Sequence, residues 1–352
     1  MKKYIFLSLF VASFISCTKT IDFDDEGLAN QLVLNSIIWP DSAFTASLTK
    51  SASILTEMHG SGIIADGSIE LFENGTLLTQ FSSTKGRFKA KEIKPKTGSS
   101  YRIVVTSNGK QIEAETTIPN KAEVVSVDTT KIITDSYNSK QTQFNVKIKD
   151  QEGDDFYRII VSNETLMLRY NVDGKGSDKY YLEKNQNPIS SDDPVFNSLF
   201  NNFGGETMDM GPANDDYIFP DDYFKNKEYS IHFRDNSYSF RNYFYRDPIN
   251  PSFYTGIKLI YERNTVHILK LSKELYNYMK YLRLYNYYHD DPFSEPVPVY
   301  SNIKNGIGIF AGFNDDAKIT FEKKYVPFSM DTIKVEGSYN YGGYSGYSGY
   351  TD

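Results

Sequence analysis

The chain has very few of the residues that form disulfides and bind transition metals, with one cysteine and four histidines. Among its 352 residues there is one cysteine, Cys17, so no disulfide can form within the chain. The histidines are scattered without the spacing of metal ligands: His59, His232, His267 and His289. We therefore expect no metal and no cofactor. Acidic residues outnumber basic ones by 45 to 38, and the net charge of −7 argues against a nucleic-acid partner.

Long apolar runs are absent as well, since none reaches the roughly 18 residues of a membrane helix. The run from Tyr4 to Phe14 follows two lysines and has the pattern of an export signal, which we place at residues 1–16. Cys17 comes next, in a sequence that looks like a bacterial lipobox. A stray thiol in a signal peptide would leave its position unexplained. We predict that Cys17 is lipidated, because acyl chains contribute about 0.8 kcal/mol per buried methylene and several hold a protein on a membrane.

Residues 17–30 are polar and are interpreted as a lipidated tether between the membrane and the fold. The segment contains an acidic cluster: Asp22, Asp24, Asp25 and Glu26. Such a cluster resembles the export signal that sends Bacteroidota lipoproteins to the cell surface, although here it begins five residues after Cys17. We expect an outer-membrane location, at the cell surface rather than the periplasmic face.

Residues 31–120 predict a small β-sandwich of immunoglobulin or transthyretin type. Two hairpins surround Asn74-Gly75 and Asn108-Gly109, and this dipeptide accepts the positive φ angles of a tight turn. Two more strands flank Pro40-Asp41. The fold by itself assigns no activity. The predicted strands are 32–39, 44–48, 68–72, 76–81, 101–107 and 110–117.

Residues 121–335 predict a larger β-rich domain with one prominent helix, so the whole chain is expected to be mainly β. Three of the 28 tyrosines lie at or before residue 150 and the others follow it, which makes the two parts different in kind. Residues 185–220 have no convincing period and predict a long functional or disordered loop. We expect 144–148 and 156–161 to pair. The other predicted strands are 121–127, 165–170, 179–182, 229–233, 257–261, 265–271 and 317–321.

The prominent helix is expected to begin after Ser272 as N-cap, with Glu274 in the first turn, and to end at Asp291-Pro292. An apolar stripe predicts the face that packs on the core: Leu275, Tyr278, Met279, Leu282 and Tyr285. Residues 336–352 repeat Tyr and Gly and predict a flexible tail.

Residues 237–254 are dense in aromatic side chains among polar ones. Such rings either bury in a core or present a binding face. We treat them as a candidate partner or ligand surface: Tyr238, Phe240, Tyr243, Phe244, Tyr245, Phe253 and Tyr254.

The sequence contains no convincing catalytic motif. We therefore predict that the protein is not an enzyme and has no catalytic residue. Two Ser-x-x-Lys matches, at Ser47 and Ser82, lack the other motifs of penicillin-binding proteins. The loop from Asp150 to Asp155 groups four carboxylates around a glycine and offers hard ligands for calcium. Its spacing is not that of a calcium loop, and we favour a solvated acidic turn.

The stretch from Asp291 to Phe313 combines three prolines with alternating glycines. The prolines exclude a central strand over their own part of the stretch. After the Asn305-Gly306 turn signal, one face of the next strand carries Gly308 and Gly312 and is nearly bare. Such a face lets a neighbouring backbone or ring come close, or accommodates a ligand, and we favour the first.

This stretch resembles the C-terminal signature of domain-of-unknown-function family 4249, which comprises Bacteroidota outer-membrane lipoproteins typically found beside TonB-dependent receptors. Segments at 32–35, 70–75 and 101–119 are similar to the family in the same order. The resemblance implies a TonB-dependent receptor as partner and supplies no catalytic residue. The signature residues are Phe293, Glu295, Pro296, Tyr300, Ser301, Asn302, Asn305, Gly306, Gly308 and Phe310.

Together these features predict a surface lipoprotein that assists nutrient uptake by a TonB-dependent receptor, through substrate capture or by covering the receptor. The first alternative is a structural subunit of an outer-membrane lipoprotein assembly. The second is a surface hydrolase, for which two facing carboxylates would be the expected site. The sequence does not identify the ligand.

Overall fold

The computed structural model describes residues 30–40, 42–52, 62–64, 66–83, 85–133, 140–171, 179–197, 213–235, 244–246, 254–289, 297–326 and 335–341. Strands dominate these ranges, which confirms the predicted mainly β class. The strands are β1 (Leu32–Ile38), β2 (Phe44–Lys50), β3 (Gly62–Ile63), β4 (Ser68–Glu73), β5 (Thr76–Ser82), β6 (Arg87–Ala90), β7 (Ser100–Ser107), β8 (Lys110–Thr117), β9 (Glu123–Ile133), β10 (Lys140–Lys149), β11 (Phe156–Asn171), β12 (Lys179–Asn187), β13 (Ile189–Ser190), β14 (Ile218–Pro220), β15 (Glu228–Asp235), β16 (Phe244–Arg246), β17 (Tyr254–Leu271), β18 (Ile307–Lys324) and β19 (Val335–Tyr341). The helices are α1 (Pro194–Asn197) and α2 (Lys273–Tyr288).

The strands form one long sheet and two short ones. The long sheet has eleven strands in the order β19-β12-β11-β17-β18-β1-β2-β3, with β14 beside β11, β16 beside β17 and β6 beside β2. The short sheets have four strands each, β5-β4-β7-β8 and β13-β15-β10-β9. Each short sheet covers a different end of the long sheet, so the molecule contains two sandwiches that share one layer.

The first sandwich forms as the turn chemistry predicts. Asn74 and Gly75 have φ of 50° and 81°, and Asn108 and Gly109 have φ of 49° and 74°, so both hairpins use the left-handed conformations that Asn-Gly accepts. Inward-facing residues of the two layers form one apolar core: Leu34, Phe44, Leu48, Ile69, Leu71, Phe88, Tyr101, Ile103, Val105, Ile112 and Phe310.

The second sandwich packs the sheet of β9, β10, β13 and β15 on β11 and β17. Phe144 of β10 and Phe233 of β15 stack with ring centroids 5.0 Å apart. Other members of this core include Val146, Ile148, Tyr157, Ile159, Val161, Ile231, Val266 and Ile268. Strand β10 pairs with β9 and β15, whereas β11 pairs with β12, β14 and β17, so the predicted pairing of 144–148 with 156–161 is wrong.

Strand β18 belongs to both sandwiches. Its first part runs parallel to β1, from the pair Val33 and Ile307 to the pair Ile38 and Gly312. From Phe313 onward it runs antiparallel to β17. Residues that the sequence assigned to the second domain therefore complete the first sandwich, and the predicted strand 317–321 is only part of a longer one.

Helix α2 packs on the face of the long sheet opposite both short sheets. Alternation along β18 shows this, because Phe310 enters the first core while Ile309 and Ala311 contact the helix. The Ser272 side chain accepts a hydrogen bond from the Leu275 N–H, which confirms the predicted N-cap. The buried helix residues are Leu275, Tyr276, Met279 and Leu284. No helix among the described residues is long and apolar enough to cross a membrane.

Several predicted elements differ from the observed ones. Residues 257–261 and 265–271 form one strand, as do 156–161 and 165–170, because polar residues between them stay in the ladder. Leu282 is half-buried and Tyr285 is exposed, so the prediction that these two lie on the packing face of the helix is wrong. The predicted loop 185–220 contributes the end of β12, β13, α1 and β14. The backbone of 335–341 pairs with β12 where a flexible tail was predicted, while 342–352 lie outside the described residues.

Candidate functional site

Four aromatic rings lie along one side of helix α2. We define them as the aromatic stripe: Tyr281, Tyr285, His289 and Tyr300. The first three follow one another at four-residue spacing and so share one side of the helix. Tyr300 stacks on Tyr281 with centroids 6.4 Å apart, and Tyr285 stacks on His289 at 5.4 Å. Tyr285 is 41% exposed, and burial raises the pKa of Tyr300 above its ordinary value. The stripe thus places stacked rings at the surface of a rigid element.

The side chains of the seven aromatic residues predicted as a partner surface lie outside what the structure describes. Tyr238, Phe240, Tyr243 and Phe253 lie outside the described residues. Phe244, Tyr245 and Tyr254 are described by their backbone alone, which pairs β16 with the start of β17. Helix α2 follows the other end of β17, so the backbone of β16 and the helix lie at opposite ends of that strand.

The signature residues around 300–312 close the first sandwich. The Asn302 side chain accepts a hydrogen bond from the Phe310 N–H at 2.9 Å and donates to the Phe310 and Glu115 carbonyls at 2.7 and 3.1 Å. Lys304 exchanges backbone hydrogen bonds with Glu113 of β8. The first part of β18 is therefore fastened to the short sheet as well as to β1. Phe293, Glu295 and Pro296 lie outside the described residues.

The glycines of this stretch face neighbouring backbone. A Cβ on Gly306 would lie 2.7 Å from the Leu32 carbonyl oxygen, and one on Gly308 would overlap the Leu34 carbonyl. Asn305 and Gly308 also have φ of 59° and 118°, in the region that favours Asn and Gly. The close-packing prediction is confirmed, and the bare face is filled by protein.

The predicted solvated acidic turn from Asp150 to Asp155 is wrong for its two ends, because Asp150 and Asp155 are buried and paired inside the protein. Of its acidic residues, only Glu152 and Asp154 are exposed. Lys270 Nζ lies 2.5 Å from Asp155 Oδ2, and the Tyr157 hydroxyl donates to both Asp150 and Asp155 at 3.2 Å. Burial raises the pKa of the Tyr157 phenol, with the two carboxylates adding to the effect. Burial also raises the pKa of nearby Asp221. Among the described residues no group of three or more His, Cys, Asp and Glu is arranged to hold a metal ion.

A second polar constellation crosses three strands of the long sheet. Ser162 Oγ on β11 is 2.8 Å from His267 Nε2 on β17, and His267 Nδ1 is 2.7 Å from Asp315 Oδ2 on β18. Ser162 lies directly opposite Thr265, whereas His267 lies opposite Ile160, so serine and histidine are diagonal neighbours on one face. We call these three residues the Ser-His-Asp line.

Sequence reasoning missed the Ser-His-Asp line. Its neighbours are 105 and 48 residues apart, and no motif surrounds any of the three. A signal was present in β17, where His267 is the polar residue inside the apolar run Val266, Ile268 and Leu269. A histidine in such a run points either to a core hydrogen bond or to a site.

Two shallow depressions occur elsewhere, of about 310 and 320 Å3. The first is lined by small polar residues, among them Ser68, Ser82 and Thr106. The second lies along the edge of β11, beside Ile160 and Tyr217. Neither is lined by several rings, so neither has the concave aromatic surface expected of a site that captures a small ligand.

Comparison with known proteins identifies a family. The chain matches the family described as Domain of unknown function (DUF4249) over residues 18–319. No curated protein matches it.

Proposed function

Because the chain belongs to the DUF4249 family, whose function is unknown, we propose that it is an outer-membrane lipoprotein that assists nutrient uptake by contacting a TonB-dependent receptor. Covering the receptor fits the described surface better than capturing a small substrate. The proposed contact requires no catalysis. The sequence resemblance supplies the class of partner, and the aromatic stripe on α2 is the observation that carries the contact.

The stripe has the properties of a protein-binding surface. Tyrosine is enriched at interfaces because its ring supplies apolar area while its hydroxyl stays hydrated. Val299 is 38% exposed and immediately precedes Tyr300, so it offers a further exposed apolar side chain next to the stripe in the sequence. Leu275, Met279 and Leu284 anchor the helix in the core, and Tyr281 and Tyr300 pack against the same core, so the stripe is positioned before contact. Preorganised rings lose little conformational entropy on binding.

The membrane anchor supports the same function. Removal of residues 1–16 would leave Cys17 as the lipidated terminus, and the family match begins at the next residue. A tether ending near residue 30 keeps the fold close to the membrane and raises its effective concentration beside neighbouring receptors. The acidic cluster behind Cys17 favours the cell surface.

The test separates anchoring from contact. In the first step, Cys17→Ala should release the protein from the membrane fraction, and a variant that resists a carbonate wash contradicts lipid anchoring. In the second step, the tagged protein is purified from native membranes in mild detergent. We expect a TonB-dependent receptor to accompany the wild type and to be lost from the double variant Tyr285→Ser with Val299→Ser.

The control removes exposed apolar residues far from α2. Leu77 and Leu78 on β5 are 50% and 41% exposed, and their replacement by serine should leave the receptor bound. Recovery of the wild-type protein without a receptor contradicts the proposal. Recovery with other lipoproteins supports the alternative, a structural subunit of an outer-membrane assembly.

A further inference from the structure

We propose that Ser162 is an activated nucleophile that hydrolyses activated esters carrying a short apolar acyl group. The inference is independent of the proposed receptor contact. It gives a specific site to the hydrolase alternative, and the site is a hydroxyl, an imidazole and a carboxylate in place of two carboxylates.

The hydrogen bonds of the Ser-His-Asp line determine the protonation of the ring. Asp315 Oδ2 can only accept a hydrogen bond from His267 Nδ1, at 2.7 Å, so Nδ1 carries the proton. His267 Nε2 is then an acceptor for the Ser162 hydroxyl at 2.8 Å. This is the arrangement in which a histidine acts as general base for a serine and a carboxylate orients the ring.

Asp315 provides a second observation. Its other oxygen, Oδ1, is shielded from solvent and has no hydrogen-bond partner among the described residues. Unpaired buried oxygens are rare because each costs about 1–3 kcal/mol, and a catalytic role is one of the recognised reasons for keeping one. Among the described residues, the hydrogen-bond partner of this carboxylate is therefore His267.

The surroundings are accessible and define the acyl group. The side chains of His267 and Asp315 are 24% and 33% exposed. Ser162, Thr265 and Ile319 form one row across three strands, and Ile319 is 56% exposed. Adjacent strands lie about 4.8 Å apart, so Ile319 is about 10 Å from Ser162. An acyl chain of a few carbons extends over that distance.

The transition state also needs a donor for the carbonyl oxygen. Backbone N–H groups around Ser162 lie in the ladders with β12 and β17, which leaves the Thr265 hydroxyl between Ser162 and Ile319 as the nearest donor in the row. One hydroxyl stabilises an oxyanion less than the usual set of donors, and a single donor accounts for about 10²–10³ in rate. Activated esters are therefore the expected substrates, and peptides are not.

The reaction is balanced by water. Ser162 Oγ bonds to the ester carbonyl carbon while its proton passes to His267 Nε2. Collapse of the tetrahedral intermediate expels the alcohol, which takes that proton. Water then attacks the acyl-serine, gives a proton to His267 and releases the acid, after which Ser162 regains its proton.

The experiment uses the purified full chain, a fluorophosphonate probe and the p-nitrophenyl esters of acetate and butyrate. We expect the probe to label Ser162, as located by peptide mass mapping, and the butyrate ester to have the higher kcat/KM. Ser162→Ala should abolish both labelling and hydrolysis. Asp315→Asn presents an N–H to His267 and disfavours the required tautomer, so it should lower kcat by about 100-fold or more.

Two further variants test the remaining roles. Thr265→Val should lower kcat by about 100-fold or more with little change in KM. Ile319→Asp should remove the preference for butyrate. Ser126→Ala is the control, because Ser126 Oγ donates to Asp128 at 3.2 Å without an intervening histidine. Failure of the wild type to label at Ser162 overturns the proposal whether or not any variant folds. Equal hydrolysis by wild type and a folded Ser162→Ala variant also overturns it.

Discussion

The side chain of Asn302 binds both backbone hydrogen-bonding groups of Phe310, accepting from its N–H at 2.9 Å and donating to its carbonyl at 2.7 Å. An amide side chain thus takes the place of a neighbouring strand beside β18. The same amide donates to the Glu115 carbonyl of β8, which joins the two layers of the first sandwich. Asn302, a residue of the family signature, therefore has a structural role.

Replacement of Asn302 should therefore destabilise the protein. Asn302→Ala leaves the Phe310 N–H and two carbonyls without their partner, and a buried unpaired group costs about 1–3 kcal/mol. We expect the free energy of unfolding to fall by about 2 kcal/mol or more, measured by chemical denaturation. Gln111→Ala, at an exposed position of β8, is the control. Equal stability of the two variants contradicts the assigned role.

Gly308 allows steric overlap to be separated from backbone strain. Gly308 and Gly153 have φ of 118° and 125°, but a Cβ overlaps the Leu34 carbonyl only at Gly308, while that of Gly153 meets open space. Strain of this kind costs about 1–3 kcal/mol, and overpacking adds typically 1–3 kcal/mol. Gly308→Ala should therefore be the more damaging substitution in thermal unfolding. Similar losses of thermal stability in Gly308→Ala and Gly153→Ala would show that backbone strain, without steric overlap, accounts for the effect.

The two lysine–aspartate pairs of the acidic loop should differ in their importance. Lys270 and Asp155 are 5% and 8% exposed, so Lys270→Met leaves a buried carboxylate without its counter-ion and should cost about 3–5 kcal/mol. Adding Asp155→Asn should recover part of that loss. Lys225 and Asp154 form an exposed pair at 2.6 Å, and Lys225→Met should change the unfolding free energy little. A small effect at Lys270 would show that water reaches Asp155.

The raised pKa of Asp221 predicts how the stability of the protein changes with pH. Burial, with the charges of Asp150 and Asp155, raises the pKa of Asp221 above its ordinary 3.8. The native state then holds the proton more tightly than the unfolded chain. The stabilisation that this proton gives the native state is complete below the pKa of Asp221 in the unfolded chain. It is lost as the pH rises through the pKa of Asp221 in the native state.

Asp221→Asn keeps an oxygen for the Asp155 N–H and removes this loss. The variant should therefore gain stability over the wild type as the pH rises from strongly acidic to neutral. Melting temperature as a function of pH measures the difference, with exposed Asp222→Asn as the control. A constant difference between variant and wild type across that range contradicts the assignment.

The division near residue 120 stays a prediction, and the structure sharpens its test. A fragment of residues 30–120 contains both Asn-Gly hairpins but lacks Phe310, which is fully buried in the first core, and leaves the edge of β1 unpaired. We expect an all-β fragment of low stability by circular dichroism. Addition of a peptide of residues 297–314 should raise its melting temperature, and the same peptide with Phe310→Asp should not.

The sequence predicted the elements whose causes are local. The hairpins at Asn74 and Asn108 and the cap at Ser272 depend on a few adjacent residues, and each forms as expected. It did not predict the parallel pairing of Val33 with Ile307, because nothing in either segment names a partner 274 residues away. The Ser-His-Asp line was missed for the same reason.

Strand β17 shows a different limit. Glu262, Arg263 and Asn264 interrupt its apolar pattern and predict a break between two strands. In the structure Arg263 pairs with Glu164 of β11 at 2.6 Å, so charges that suggest a turn instead stabilise the ladder across neighbouring strands. Periodicity alone does not distinguish these cases.

The position of β18 in both sandwiches also has a kinetic consequence. Pairing between β1 and β18 closes a loop of most of the chain, and contacts of such long sequence separation slow folding. The first sandwich cannot reach its final form until residues beyond 307 are available, although most of its strands are made first. Until then β1 presents an unpaired edge, which is a site for aggregation. We therefore expect folding to finish only after β18 has been synthesised, and chaperones that protect β1 until then to be needed for good yield.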